Sequence, residues 1–400
     1  MKLNATYIKI RDKWWGLPLF LPSLILPIFA HINTFAHISS GEVFLFYLPL
    51  ALMISMMMFF SWAALPGITL GIFVRKYAEL GFYETLSLTA NFIIIIILCW
   101  GGYRVFTPRR NNVSHGDTRL ISQRIFWQIV FPATLFLILF QFAAFVGLLA
   151  SRENLVGVMP FNLGTLINYQ ALLVGNLIGV MPFNLGTLIN YQALLVGNLI
   201  GVPLCYFIIR VVRNPFYLRS YYSQLKQQVD AKVTKKEFAL WLLALGALLL
   251  LLCMPLNEKS TIFSTNYTLS LLLPLMMWGA MRYGYKLISL LWAVVLMISI
   301  HSYQNYIPIY PGYTTQLTIT SSSYLVFSFI VNYMAVLATR QRAVVRRIQR
   351  LAYVDPVVHL PNVRALNRAL RDAPWSALCY LRIPGMEMLV KNYGIMLRIQ

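Results

Sequence analysis

The sequence TLSLTANFIIIIILCWGGY, residues Thr85 to Tyr103, is the clearest indication of the fold of this chain. It contains no charged side chain, and the cation Arg104 follows it directly. A helix rises about 1.5 Å per residue, so this stretch is about as long as the roughly 30 Å hydrocarbon core of a bilayer is thick. The stretch therefore predicts a helix that crosses a membrane.

Apolar runs of similar length recur along most of the chain. Of its 400 residues 59% are hydrophobic and only 11% are charged, and the mean hydropathy is +0.67. This composition excludes a soluble enzyme, a disulfide scaffold and a disordered tail, and it predicts an all-α polytopic membrane protein with about ten transmembrane helices. The other predicted spans are Trp14 to Ile32, Val43 to Phe60, Trp62 to Val74, Ile125 to Ala150, one or two between Met159 and Ile209, Phe238 to Leu256, Thr268 to Met281, Leu287 to Ile300 and Ser323 to Thr339.

Basic residues in the loops predict the orientation. The loop Arg104 to Arg124 holds five arginines and Arg210 to Lys236 holds seven basic residues, whereas Asn33 to Glu42 and His301 to Ser322 hold none. Because basic loops stay in the cytoplasm, both termini are predicted to be cytoplasmic, with an uncleaved N-terminal anchor. Arg75 is an exception, since alternation of the spans places it outside. The net charge of +21 comes mostly from such loops and favours membrane lipid rather than nucleic acid as partner.

A perfect internal repeat interrupts the middle of the chain. Residues Met159 to Val180 recur without one change as Met181 to Val202. An old structural repeat would have diverged, so the identity indicates a recent in-frame duplication or an assembly error. Each 22-residue copy is about one span long, and a second crossing would invert every later loop against the charge bias. We predict that one copy is not stably inserted, or that the pair forms a hairpin around Pro182.

The predicted spans offer little catalytic chemistry. They are almost free of Asp, Glu, Lys and Arg, which disfavours a transporter, because transporters keep such groups in the membrane. The four cysteines and five histidines are scattered, so no metal ligand set is predicted. Two aromatic clusters are candidate ligand sites, although anchoring at the membrane surface is the simpler explanation. These are Trp278, Arg282 and Tyr283, and the tyrosine-rich loop Ser302 to Gln316.

After Thr339 the composition changes to that of a strongly basic helix. In RQRAVVRRIQRLAY, residues 340–353, the apolar side chains Val344, Ile348 and Leu351 follow at i, i+4 and i+7. This stripe suits a two-stranded coiled coil, and equally a helix lying on anionic lipid. The predicted domains are an integral-membrane sensor over 1–339, a cytoplasmic signalling helix over 340–352 that forms a homodimer, and a further domain over 353–400.

The stretch LAYVDPVVHLPNVRAL, residues Leu351 to Leu366, resembles the opening of GGDEF domains, the α/β domains of diguanylate cyclases. That opening typically reads A-x-x-D-x-L-T-G-L-P-N-R. The matching residues are Asp355, Pro356, Leu360, Pro361 and Asn362. The resemblance implies that the chain ends in the truncated start of an α/β domain, because about 50 residues remain of a module that needs about 100 or more.

The segment ALCYLRIPGMEMLVKNYG, residues Ala377 to Gly394, aligns with the next strand and helix of the GGDEF family. Arg382 and Pro384 stand at the two acidic positions that hold the metal in active cyclases. Val390 and Lys391 stand where the family has its guanine-contacting Asn and Asp. Magnesium needs carboxylate oxygens, so the resemblance implies a degenerate domain that is not a working cyclase.

The membrane part resembles the first class of membrane-associated sensor (MASE) domains of bacterial signalling proteins. The residues that carry this resemblance are Ser39-Ser40-Gly41, WAALPGITLG at Trp62 to Gly71, GNLIGVPL at Gly197 to Leu204, and WGAMRYG at Trp278 to Gly284. Taken whole, the chain resembles the N-terminal half of enterobacterial cyclic-di-GMP phosphodiesterases. Those enzymes join a MASE sensor, a degenerate GGDEF domain and a catalytic EAL domain.

This resemblance implies the membrane-anchored sensory part of an enzyme in the bacterial inner membrane that hydrolyses cyclic di-GMP to linear pGpG. The EAL domain, with Mg or Mn, would perform the hydrolysis, and these 400 residues contain no EAL domain. No catalytic, cofactor-binding or metal-binding residue is therefore predicted here, and cyclic di-GMP would meet only the missing domain. The alternatives are a transporter or channel with an incidental tail, the sensor of a diguanylate cyclase, and the sensor of a histidine kinase.

Overall fold

A computed structural model describes residues 13, 15–38, 41–107, 118–145, 185–230, 233–254, 266–307, 312–353 and 361–373. The chain divides into two compact units, Met1–Ala338 and Thr339–Gln400. Within the described residues the chain is almost entirely α-helical, with one two-stranded sheet near its start.

The helices follow one another along the chain with short connections. They are α1 Leu17–His31, α2 Pro49–Phe60, α3 Leu65–Leu80, α4 Phe82–Phe106, α5 Thr118–Ile125, α6 Phe131–Phe145, α7 Leu185–Arg213, α8 Tyr217–Gln228, α9 Lys235–Cys253, α10 Asn266–Tyr283, α11 Tyr285–His301, α12 Tyr313–Tyr353 and α13 Val363–Asp372. The strands are β1 Thr34–Ile38 and β2 Gly41–Phe46. Tight 3-10 turns cover Ser61–Ala64 and Tyr303–Asn305, and a π-helical turn covers Phe126–Val130.

Six helical segments of the described chain are long and apolar enough to cross a membrane. They are Pro49–Leu80, Phe82–Phe106, Ile121–Phe140, Leu185–Arg213, Lys235–Cys253 and Tyr313–Ile348. Two shorter apolar helices, Leu17–His31 and Tyr285–His301, coincide with predicted spans. A helical protein with several membrane-compatible segments is therefore confirmed, whereas the number of about ten crossings stays a prediction.

Strands β1 and β2 form an antiparallel hairpin, which the all-α prediction did not include. In β1 the side chains of Thr34 and Ala36 are buried while Phe35 between them is exposed, the alternation of a strand with one covered face. The predicted span Val43 to Phe60 is wrong at its start, because its first residues extend this hairpin. The helix itself begins at Pro49, a residue whose fixed φ and missing N–H suit the first helical position.

Helices α2 and α3 run antiparallel. Ser61 ends α2 with φ 55° and ψ −140°, and among the described residues it is the one non-glycine residue with positive φ. Pro49 at the start of α2 and Arg75 near the end of α3 line the same cavity. In one continuous helix these residues would be roughly 40 Å apart at about 1.5 Å per residue. The segment Pro49–Leu80 is therefore a helical hairpin rather than a single span.

Glycines let the backbones of this bundle approach closely. A Cβ at Gly67 of α3 would overlap the carbonyl oxygen of Pro18 in α1, and one at Gly197 of α7 would overlap that of Tyr47. Small residues at such positions are the usual means of tight helix packing in membranes. Both glycines belong to stretches that carry the sensor-domain resemblance, so a packing requirement accounts for them.

The second unit begins within helix α12 and continues to α13. Asn362 caps α13, since its Oδ1 accepts a hydrogen bond from the backbone N–H of Ala365 at 3.1 Å. The Nδ2 atom of Asn362 donates to the carbonyl oxygen of Ala352 at 2.9 Å, and its backbone N–H donates to that of Tyr353 at 2.9 Å. Asn362 therefore fixes the connection between the end of α12 and the start of α13.

Candidate ligand-binding cavity

A cavity of about 200 Å³ lies where the bundle carries the β hairpin, which we call the hairpin end. Both strands and helices α1, α2, α3, α4 and α6 contribute to its walls. An engineered apolar cavity of about 150 Å³ is large enough to bind benzene. This cavity, the hairpin cavity, is therefore large enough for a small organic molecule.

Three charged side chains line the hairpin cavity: Arg75 and Lys76 from the end of α3, and Glu42 from β2. The Nη1 atom of Arg75 donates to the carbonyl oxygen of Pro27 at 3.1 Å. Lys76 pairs with a glutamate of its own helix. The Oε1 atom of Glu42 lies 3.3 Å from Nδ1 of His37. In the described structure Glu42 and Arg75 form no ion pair with each other, so the cavity keeps separate positive and negative groups.

An aromatic wall closes the deep side of the hairpin cavity. Phe136 and Phe140 of α6 stack with ring centroids 4.0 Å apart and planes inclined by 19°. Phe92 of α4 lies 5.6 Å and 5.4 Å from these two rings. All three side chains are buried. The wall is an apolar surface against which the hydrocarbon part of a ligand can pack.

Tyr47 stands between β2 and α2 at the side of the same cavity. Its ring centroid lies 4.9 Å from that of Phe44 and 5.7 Å from that of Phe136. Burial raises the pKa of the Tyr47 hydroxyl above its ordinary value, and the positive charge of Arg75 opposes this shift only in part. Tyr47 therefore keeps its proton and adds a neutral polar group to the cavity.

Amide side chains on α7 connect the hairpin end with the rest of the bundle. The Oδ1 atom of Asn190 accepts a hydrogen bond from the backbone N–H of Phe44 at 2.7 Å. Two residues further along α7, Nε2 of Gln192 donates to Oγ of Ser322 in α12 at 2.7 Å. The remaining polar atoms of both amides, Nδ2 of Asn190 and Oε1 of Gln192, are buried without a hydrogen-bond partner. Helix α7 thus touches a wall of the cavity and the long helix α12.

Helix α7 also contacts the irregular turn between α5 and α6. The π turn Phe126–Val130 breaks the regular hydrogen bonding there, and the carbonyl oxygen of Ile129 accepts from Nδ2 of Asn198 at 3.4 Å. Asn198 is completely buried. The amide of Asn198 therefore donates to a carbonyl oxygen in the stretch where the neighbouring helix is irregular.

All of these α7 contacts come from the second copy of the repeat. Leu185 to Val202 form the first part of α7, whereas the first copy, Met159 to Val180, lies outside the described residues. The predictions that one copy is not stably inserted, or that the pair forms a hairpin around Pro182, therefore stay predictions.

Helices α10 and α11 meet in a tight turn at Gly284, where φ is +83°, and we call this region the turn end. Helix α11 leads from the turn end to the hairpin end. Just beyond it, the hydroxyl of Tyr303 donates to the carbonyl oxygen of Phe35 in β1 at 3.1 Å. The 17 residues of α11 separate the two ends by about 25 Å at about 1.5 Å per residue.

The predicted cluster of Trp278, Arg282 and Tyr283 does come together at the turn end. The guanidinium of Arg282 lies 5.8 Å from the Trp278 ring centroid, and its Nη1 lies 3.7 Å from Oδ2 of Asp230. Its Nε lies 4.0 Å from Oε1 of Glu237. Sequence reasoning missed both carboxylates, because Asp230 and Glu237 lie 52 and 45 residues before Arg282 in the sequence. Arg282 is already paired, so this cluster anchors the chain rather than binding a free ligand.

Helix α8 packs on the same turn through Lys286. The hydroxyl of Tyr221 donates to the carbonyl oxygen of Lys286 at 2.9 Å, and the backbone N–H of Lys286 donates to Oε1 of Gln228 at 3.1 Å. The turn end is thus a closed polar interface.

Two tyrosines of the predicted tyrosine-rich loop belong to the packed interior rather than to an open surface. Tyr303 and Tyr306 are buried, and the hydroxyl of Tyr306 donates to the carbonyl oxygen of Ser299 at 2.7 Å.

Among the described residues no group of three or more His, Cys, Asp or Glu side chains could hold a metal ion.

The remaining predicted residues lie in the second unit. Val344 and Ile348 on α12 are exposed, by 56% and 60%, while Leu351 belongs to the same helix. Pro361 and Asn362 are described at the start of α13. The residues outside the described ranges are Asp355, Leu360, Arg382, Pro384, Val390 and Lys391.

The membrane part of the chain matches a known protein family. The MASE1 family model matches residues 15–186 and 177–342. The chain belongs to the MASE1 family. The two MASE1 matches overlap at the junction of the repeat copies, as expected if one copy is additional to the family pattern. The resemblance inferred from the four sequence motifs is thereby confirmed.

Two curated relatives of this MASE1 chain come from Escherichia coli strain K12. The chain is 94% identical over all of its 400 residues to the cyclic di-GMP phosphodiesterase PdeF, covering 51% of that protein. It is 24% identical over 97% of its length to the probable cyclic di-GMP phosphodiesterase PdeA, covering 50% of that protein. The chain thus spans about half the length of the curated relatives it matches. No solved structure matches it.

Proposed function

We propose that this chain is the membrane-embedded sensory and regulatory part of a cyclic-di-GMP phosphodiesterase. The observation that carries the proposal is the 94% identity over the whole chain with PdeF of Escherichia coli, named a cyclic di-GMP phosphodiesterase. The MASE1 matches over residues 15–186 and 177–342 support this proposal, since these ranges include almost all of the described helices. Hydrolysis to pGpG, and the Mg or Mn that an EAL domain uses, then belong to sequence that these 400 residues do not include.

The proposed topology has ten crossings of the bacterial inner membrane and cytoplasmic termini. The crossings are α1, α2, α3, α4, α5 with α6, α7, α9, α10, α11 and α12. Contacts between distant loops support this arrangement. Arg75 lines the hairpin cavity with Glu42, and the turn at Lys286 packs on Tyr221 of the basic loop. Each pair joins segments that alternation of the spans assigns to the same side, so the exception at Arg75 fits the proposed topology.

Residues 353–400 are proposed to begin a degenerate GGDEF-like domain. The residues present do not fit a metal ion, since Arg382 and Pro384 supply no carboxylate where active cyclases hold one. No catalytic step is therefore assigned to this segment. Asn362, a residue of the family's opening motif, has a capping role that suits the start of such a domain.

The signal is proposed to leave the membrane through α12. Gln192 joins α7 to Ser322 near the start of α12. Further along this continuous helix, Val344 and Ile348 carry an exposed apolar stripe. A homodimer would bury this stripe, and a small shift of α12 would then change the geometry of the dimer.

The proposed output is tested in the complete gene product. Replacing Val344, Ile348 and Leu351 together by Gln keeps the charge and the helix but removes the stripe. We expect cysteine crosslinking to show loss of the dimer and cyclic-di-GMP hydrolysis to change severalfold. Val345→Gln is the matched control, because Val345 is 51% exposed on the same helix but off the stripe. Unchanged dimerisation and hydrolysis in the triple variant would contradict the proposed route.

The reading frame is the simplest test of the assignment itself. A long read through the repeat and past codon 400 that continues into an EAL domain would support a phosphodiesterase. A stop directly after codon 400 would leave a sensor without its own hydrolase and would refute the proposed activity.

A further inference from the structure

We infer that the hairpin cavity binds a small zwitterion with an apolar body, of the class of α-amino acids with aromatic or branched aliphatic side chains. This inference rests on the proposed sensory role, for which it names the chemical class of the stimulus. The carboxylate of the ligand would face Arg75, its ammonium group would face Glu42, and its side chain would pack on the aromatic wall.

The charges of the hairpin cavity favour a zwitterion over a simple ion. Arg75 and Glu42 both line the cavity but do not pair with each other in the described structure. Arg75 uses one of its five N–H donors on the carbonyl oxygen of Pro27 and keeps others for a carboxylate. Among the described residues the one ion-pair contact of Glu42 is with the exposed His37, through Oε1, so its second oxygen is available to an ammonium group.

The walls of the hairpin cavity favour an apolar body. Phe92, Phe136 and Phe140 are buried, and they offer ring faces and edges but no hydrogen-bonding group. A volume of about 200 Å³ exceeds the roughly 150 Å³ that holds benzene, so a phenyl group with a short polar head is of the right size. A fully polar solute would leave this wall without contacts.

The position of the hairpin cavity suits a stimulus. Phe44 lines the cavity, and its backbone N–H bonds to Asn190 on α7. Phe35 on β1 also lines the cavity and is 41% exposed, so the cavity reaches the surface of the bundle. A ligand that fixes the hairpin would therefore act on α7 directly, and through Gln192 on α12.

Isothermal titration calorimetry with the purified chain in lipid nanodiscs tests the ligand class. The probes are L-phenylalanine and L-leucine, with N-acetyl-L-phenylalanine as the anion-only analogue and phenethylamine as the cation-only analogue. We expect one of the two amino acids to bind at least about tenfold more tightly than either analogue, because each analogue loses one charge-assisted contact. Equal binding of the anion-only analogue, or no binding of either amino acid, would overturn the inference.

Variants locate the binding to the hairpin cavity. Arg75→Gln and Glu42→Gln are each expected to weaken binding about tenfold or more, and Arg75→Lys should weaken it less than Arg75→Gln. Arg219→Gln on α8 and Glu84→Gln on α4 are matched controls, because neither side chain lines the cavity, and both variants should bind as the unchanged protein does. Melting temperatures show whether each variant is folded. Undiminished binding by folded Arg75→Gln and Glu42→Gln proteins would place the ligand elsewhere.

The proposed ligand class and the proposed phosphodiesterase activity can be refuted independently of each other. Calorimetry needs no cyclic di-GMP, so a gene product without phosphodiesterase activity would leave the binding result unaffected. If the complete gene product hydrolyses cyclic di-GMP but its membrane part binds neither amino acid, only the proposed ligand class is refuted.

Discussion

The hairpin end and the turn end both contain arginine, carboxylate and aromatic side chains, but the contacts differ. At the turn end Arg282 lies 3.7 Å from Asp230 and 4.0 Å from Glu237, with Trp278 beside it. At the hairpin end Arg75 donates to a backbone carbonyl oxygen, while Glu42 across the cavity is not paired with it. The types of residue present therefore do not identify a binding site by themselves. A paired arginine stabilises a turn, whereas one that shares a cavity with a separate carboxylate can bind a ligand.

Gly197→Val at the hairpin end should destabilise the protein more than any other substitution considered below. The added side chain would overlap the carbonyl oxygen of Tyr47, so α7 and the hairpin would have to separate. We expect a loss of about 3 kcal/mol in stability, seen as a lower melting temperature in detergent. Gly246→Val on α9 is the matched control, since no atom lies within 4 Å of its Cβ position. Equal melting of both variants would show that the close approach is not required.

Asn190→Leu should have the next largest effect. It leaves the buried backbone N–H of Phe44 without its acceptor, at a cost of about 2 kcal/mol. Asn168→Leu changes the identical residue of the first repeat copy and is the internal control. If the second copy forms α7, only Asn190→Leu lowers the melting temperature. Similar losses from both substitutions would mean that both copies need this asparagine.

Arg282→Gln and Arg75→Gln test the comparison of the two ends directly. We expect Arg282→Gln to lower stability by about 1 kcal/mol, because its two ion pairs are partly exposed and each contributes modestly. It should leave amino-acid binding unchanged. Arg75→Gln should alter stability by less than about 0.5 kcal/mol while it weakens binding. Melting curves measure the stability of both proteins and calorimetry measures their amino-acid binding. Weaker binding by Arg282→Gln together with lower stability of Arg75→Gln would contradict the roles given to the two arginines.

The smallest effect is expected from His37→Ala. The side chain of His37 is 81% exposed, so its contact with Glu42 contributes little. Stability should change by less than about 0.5 kcal/mol and the dissociation constant of the bound amino acid by less than about twofold. A larger change in the dissociation constant would make His37 part of the binding site.

Much of the helical architecture could be predicted from the sequence, because a membrane requires long apolar segments whatever their partners. Stretches such as Thr85 to Tyr103 are long and apolar enough to meet this requirement whatever they pack against. The β hairpin was missed because Val43 to Phe46 is as apolar as the helix that follows, and hydropathy does not distinguish a buried strand from a buried helix.

The candidate site could not be predicted in the same way. Glu42, Arg75 and Phe136 lie far apart in the sequence and meet only because the β hairpin, α3 and α6 come together in the fold. No single stretch of the sequence shows that these three residues are neighbours in the fold. The cluster at Trp278, Arg282 and Tyr283 was found because it is contiguous, but the carboxylates that decide its role come from other segments.

The identical repeat has a genetic consequence. The gene encodes the contact residues of α7 twice. Asn190, Gln192 and Asn198 of the second copy correspond to Asn168, Gln170 and Asn176 of the first copy. Recombination between the copies would remove one of them in frame, and the product would be the same whichever copy was lost. Cells that carry this gene are therefore expected to produce single-copy revertants, which are natural tests of whether the second copy changes signalling.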